Sequence, residues 1–101
     1  MTRTRPAPRS RTFLVESYAP GSSNEDLTVA TDRVRRAAKA SQDAGGHIAY
    51  MGALFMPRDE VVFHLFASQE VALVREVCRR SSIAVERVVE SIVIAADISR
   101  R

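Results

Sequence analysis

Two stretches of this 101-residue chain, 47–56 and 60–67, are apolar or aromatic at most positions, and Pro57-Arg58-Asp59 stands between them. Proline presets φ and aspartate bonds back onto the backbone, so the segment reads as a hairpin joining two β-strands. Pairing Met56 with Val61 puts Ile48, Tyr50, Leu54, Val61, Phe63 and Leu65 on one face, with His47, Met51, Phe55, Val62, His64 and Phe66 on the other. Both faces are too oily for water. If helices cover one, the other is expected to meet a second subunit or enclose a ligand, because apolar patches of that size are unusual on monomers.

The flanking sequence supplies the helices. Residues 12–18 alternate, with Phe13 and Val15 on one side and Leu14, Glu16 and Tyr18 on the other, which is the period of a strand. After Pro20-Gly21, Ser22 with Glu25 three residues later reads as a capping box. Leu27, Ala30, Val34, Ala37, Ala38 and Ser41 then recur at helical spacing until Gly45-Gly46. Ser68 is placed to cap a second helix carrying Val71, Val74, Val77 and Cys78, with Arg79-Arg80 suited to its negative end. Residues 84–95 read as a long closing strand. Strand, helix, hairpin, helix, strand is the βαββαβ order of an α+β, ferredoxin-like domain. Its first and third strands lie in the middle of a four-stranded antiparallel sheet, and both helices lie on one face.

Length and composition agree with one domain. A chain this short buries only roughly 60–65% of its unfolded surface, a shortage that pairing relieves. Hydrophobic residues make up 46% and charged ones 27%, which fits a folded protein and not a disordered one, and no stretch approaches a membrane span. The net charge of +3 is misleading as a sign of nucleic-acid binding. Arg3, Arg5, Arg9 and Arg11 all precede Thr12, and without them eleven basic residues face twelve acidic ones. Residues 1–11 therefore read as a disordered basic arm, 12–96 as the domain and 97–101 as a tail; nucleic acid is not an expected partner. The single cysteine, Cys78, cannot form an intramolecular disulfide, and the first residues lack the apolar core of a secretory signal. A cytoplasmic protein is expected.

No phosphate loop, nucleophile elbow or metal motif of recognisable spacing is present. What remains is Glu16, Tyr18 and His64, expected to project together from the sheet face that Phe13 and Val15 do not claim. A carboxylate, a phenol and an imidazole are parts of either a metal site or a proton-transfer site. His64 reads first as a half-buried strand histidine whose ring nitrogen bonds a neighbour, then as a metal ligand, then as a general acid or base. His47 starts its strand, about 20 Å from His64 at strand rise, so the two share an ion only across a dimer. Asp59 and Glu60 are adjacent carboxylates in the hairpin turn, and Glu86 and Glu90 share a face by parity. Arg33, Arg36 and Lys39 read as the wet side of the first helix.

Taken together, Phe13-Leu14-Val15-Glu16-Ser17-Tyr18, the run from Tyr50 to Pro57, Asp59-Glu60-Val61, Phe63-His64-Leu65-Phe66 and Glu86-Arg87-Val88-Val89-Glu90 resemble the small bacterial nickel-binding, ferredoxin-like proteins. The resemblance implies a homodimer of the α+β barrel type that binds nickel or a similar divalent ion without catalysis, as a metal store or buffer. On the reading of the residues themselves, the ligands of such an ion would be drawn from His64, Glu16, His47, Asp59 and Glu60. His64 stands where such proteins often carry cysteine, and imidazole suits nickel, copper and zinc alike. The alternative is a cofactor-free dimeric barrel enzyme (monooxygenase, isomerase or cyclase) in which an apolar cavity presents His64 with Glu16 or Tyr18 to an organic substrate.

Overall fold

The chain begins its first strand one residue earlier than its alternation suggests. In a computed structural model that describes residues 11–95, β1 spans Arg11–Tyr18 and Arg11 already pairs with Ser68. The remaining residues assigned to the basic arm, and the tail at 97–101, lie outside the described residues. The other elements are α1 (Asn24–Asp43), β2 (Ile48–Met56), β3 (Val61–Ser68), α2 (Val71–Arg80) and β4 (Val85–Ser91). The sheet order is β2-β3-β1-β4 with every pairing antiparallel, so β1 and β3 are central as the βαββαβ order requires. Among the described residues, no helix is long and apolar enough to cross a membrane.

Helix α1 starts one residue later than expected. The sequence offers two overlapping Ser-x-x-acid pairs, and the chain uses the second: Ser23 Oγ accepts from the Asp26 amide and Asp26 accepts from the Ser23 amide, each at 3.0 Å. These bonds favour the carboxylate and hold Asp26 below its ordinary range. Ser68 does not cap α2 either. It still belongs to β3, paired with both Arg11 and Ile48, and its hydroxyl bonds the amide and carbonyl of Glu70, at 3.2 and 3.0 Å. Glu70 is the N-cap and makes no side-chain cap bond.

Alternation in the central strands is strict. Phe13, Val15 and Ser17 of β1, and Val62, His64, Phe66 and Ser68 of β3, are buried. They face Val34 and Ala38 of α1 and Val74, Val77 and Cys78 of α2, forming one core with Ile48. Arg33 is not simply wetted: its Nε donates to the Ser81 carbonyl at 3.0 Å, tying α1 to the end of α2. Arg36 and Lys39 pair with Asp32 and Asp43 on the exposed surface.

The edge strands depart from simple parity. In β2, Tyr50 pairs with Phe66 and Gly52 with Leu65, leaving Met51 as an extra residue in a bulge. Gly52 takes φ +142, a conformation side chains rarely adopt. The bulge transfers Ile48 and Tyr50 to the helix-covered face, with Phe66, and turns Met51 outward. This corrects the face assignment read from uninterrupted alternation, although the Met56–Val61 register holds. A second irregularity in β4 makes Arg87 face Glu16 while Val85 faces Ser17, so Glu86 interrupts the parity that would align it with Glu90. Strand β4 ends at Ser91, opposite Thr12, short of the expected residue 95.

Candidate functional site

His64 is the only ionisable side chain in the described core besides Cys78, and β3 holds it there by its pairing with Val15 on one side and Ala53 on the other. It is 2% exposed. Loss of hydration penalises the imidazolium and lowers the histidine to about 4, so the ring is neutral at physiological pH. Its Nδ1 shares a 2.8 Å hydrogen bond with the Tyr50 hydroxyl, and the two rings lie 5.8 Å apart with a 37° tilt. Burial likewise raises the Tyr50 phenol to about 12, so this is a bond between two neutral groups. Tyr50 also packs on Phe66 at 5.2 Å, and the Arg35 guanidinium caps its ring at 5.6 Å. Arg35, Tyr50 and His64 thus form a chain from the surface of α1 into the core.

Glu16 and Tyr18 are on the other side of the sheet. Glu16 pairs with Phe63 and Tyr18 with Val61, whereas His64 lies beside Val15; the β1–β3 register is offset by one from the arrangement that would unite them. The expected Glu16–Tyr18–His64 group is therefore divided between faces. Glu16 instead accepts from Arg87 Nε at 3.0 Å.

The remaining candidates are dispersed. Glu60 adopts φ +56 in the hairpin turn. Its carboxylate accepts from the Gly21 amide at 2.8 Å and its carbonyl from the Ala19 amide at 2.7 Å, which tethers the end of β1 to the hairpin. Asp59 is exposed beside it. His47 sits at the opposite end of β2, exposed, on a groove of about 410 Å³ shared with Gly46, Glu70, Leu73, Glu76 and Arg80. The Glu76 carboxylate there is already taken by Arg79 and Arg80, at 2.7 and 2.9 Å. Among the described residues, no three histidine, cysteine or acidic side chains gather to hold a metal ion. The five expected ligands do not fit a metal within one subunit.

The helix-free face carries a different kind of site. Leu14, Met51, Gly52, Ala53, Leu54, Phe63 and Leu65 line an apolar depression of about 240 Å³ in the middle of the sheet. Leu54 is 66% exposed and Met51 52%, with Met56 and Tyr18 also open to solvent. Glu16 and Arg87 form an ion pair on this face. Reading the sequence missed Tyr50 as the partner of His64 and Arg87 as the partner of Glu16. Gly52, an isolated glycine in a strand, was the signal for the bulge that brings Tyr50 inward; Arg87 gave no comparable signal.

Element order, sheet topology and helix placement define a ferredoxin-like α+β domain. The crystal structure of SCO4226 from Streptomyces coelicolor A3(2) is similar, with a TM-score of 0.65 over 83% of this chain and 99% of that one at 16% identity, a likeness that shows the fold. No protein-family model matches the chain, and no curated protein sequence matches it.

Proposed function

We propose that this protein is a non-catalytic homodimer, acting in the cytoplasm, that stacks its open sheet face on a second copy and binds a small, mostly apolar molecule between the sheets. The observation that carries this reading is the cluster of Leu14, Met51, Leu54, Phe63 and Leu65 on a face that no helix covers. Two facing depressions would enclose roughly 500 Å³, within the range of small-molecule sites. Binding is favoured over catalysis because His64, the one residue suited to proton transfer at neutral pH by type, is in the core and separated from Glu16 and Tyr18. The buried, unpaired thiol of Cys78 supports a reducing compartment.

Light scattering coupled to gel filtration, with native mass spectrometry of the purified protein, tests this. A dimer that falls apart in Leu54→Asp while keeping its circular dichroism is expected, with small-molecule mass retained only by the dimer. A wild-type chain that stays monomeric at millimolar concentration would remove the reading.

Metal binding keeps one specific support. His47 is exposed and shares its groove with Glu70, whose carboxylate has the freedom of an exposed side chain. An ion of the nickel class held there would need further ligands from water or a second copy. Titration calorimetry with nickel, copper, zinc and cobalt should give saturable heat that His47→Ala abolishes; heat unchanged by that variant would assign the ion elsewhere.

A further inference from the structure

The strand pairings arrange the open face in rows. Leu54, Phe63, Glu16 and Arg87 are successive partners across β2, β3, β1 and β4, and Gly52, Leu65, Leu14 and Val89 form the next row. The apolar depression takes in Leu54 and Phe63 of the first row and Gly52, Leu65 and Leu14 of the second. The ion pair therefore stands at its flank, with Glu16 about 5 Å from Phe63 at the usual separation of paired residues.

Arg87 bonds Glu16 Oε1 through Nε, at 3.0 Å. Among the described residues no group accepts from its two Nη atoms, and the arginine side chain is 68% exposed against 28% for the glutamate. The open half of the pair thus offers hydrogen-bond donors. Resting on the reading that this face holds a small molecule between two sheets, we infer that the ligand is a neutral ring compound with a carbonyl oxygen at one end. Its ring lies over Phe63 and Leu65, and its oxygen accepts from an Arg87 Nη group.

Charge decides against the obvious alternative. A carboxylate is the usual partner of an arginine. Here Glu16 already neutralises the guanidinium, so an enclosed anion would add a negative charge with no counter-charge, which is costly away from water. A plain hydrocarbon would cover the Nη donors and leave them unpaired. A carbonyl oxygen satisfies the donors and adds no charge. The depression also suits a ring: Phe63 offers an aromatic face and Met51 an adaptable thioether. Gly52 contributes no side chain, and a Cβ placed there would meet no atom within 4 Å, which leaves room at the bulge.

Titration calorimetry of the full chain with naphthyl methyl ketone, ethylnaphthalene and naphthoate tests this, since the three share one ring system and differ in the attached group. The ketone should bind about tenfold more tightly than the hydrocarbon and at least about tenfold more tightly than the acid. Glu16→Met/Arg87→Leu leaves the flank uncharged and should bind ketone and hydrocarbon alike. Glu16→Gln leaves the guanidinium uncompensated and should reverse the preference in favour of naphthoate. Wild-type protein that prefers naphthoate, or does not distinguish ketone from hydrocarbon, overturns the neutral-carbonyl assignment and leaves a ligand site standing. So does a double variant that keeps the ketone preference. A dimer that binds none of the three removes the small-molecule reading and this inference with it. The comparison of ligands on the wild-type chain needs no variant, so it decides the matter should either variant fail to fold.

Discussion

Mild acid should destabilise this protein through His64 before its carboxylates titrate. The unfolded chain takes up a proton on this residue near its ordinary value of 6.5, while the folded chain resists until about 4 because the imidazolium would lose its hydration. The unfolded state therefore binds more protons between those values. The contribution of His64 to stability is complete above 6.5 and declines as pH falls toward 4, by about 3 kcal/mol in all. Between about pH 7.5 and about pH 5 the loss is about 2 kcal/mol, in a range where most carboxylates stay ionised. Urea denaturation at one fixed protein concentration measures it, fixed because self-association adds its own term. His64→Gln removes the titrating group and should lower the stability at neutral pH while flattening the dependence to within about 0.5 kcal/mol. Equal pH dependence in the two proteins would refute the reasoning, as would an imidazole found by NMR titration to protonate near 6.5 in the folded state.

Two further outcomes follow from the same core. Tyr50→Phe deletes the hydroxyl that bonds His64 Nδ1 and leaves a buried ring nitrogen without its partner, which should cost about 1–3 kcal/mol in urea denaturation at neutral pH; a loss below about 0.3 kcal/mol would mean that water or another group replaces it. The Cys78 thiol is 1% exposed and pushed by burial to about 11, so an aromatic disulfide reagent near neutral pH should label native protein at least about a hundredfold more slowly than denatured protein. A native rate within tenfold of the denatured one would show that α2 opens readily.

The elements were legible because two periods are written plainly: 2.0 in Phe13 to Ser17 and Val61 to Ser68, and 3.6 in Val34, Ala38 and the Val74–Cys78 stripe. The Met56–Val61 register followed from Pro57 and Asp59 closing the turn. What parity did not carry is the relation between strands distant in sequence. No turn links β1 to β3, so nothing local says that Val15 rather than Glu16 or Leu14 lies beside His64, and an error of one residue moves the histidine from one face to the other. The β2 bulge has a local mark in Gly52, since a positive φ is cheap only for glycine, but alternation read through it misplaces Ile48 and Tyr50. Helix caps failed for a similar reason: Ser22–Glu25 and Ser23–Asp26 satisfy the same pattern, and the local sequence does not select between them.

That division of labour between the faces bears on what the sheet can recognise. In the core under the helices the buried polar groups are neutral and satisfied, His64 by Tyr50, so the core gains order without burying a charge. On the open side Glu16 and Arg87 keep a charged pair in contact with water, with the Glu16 side chain 28% exposed. A second copy seated there, as proposed, would take this pair out of solvent, and desolvating two ions offsets much of their mutual attraction. The apolar residues then have to supply the affinity, while the ion pair penalises any stacking that separates Glu16 from Arg87. Replacing both by a Met/Leu pair should accordingly tighten self-association or leave it unchanged, whereas Arg87→Met alone strands a carboxylate in the contact and weakens it.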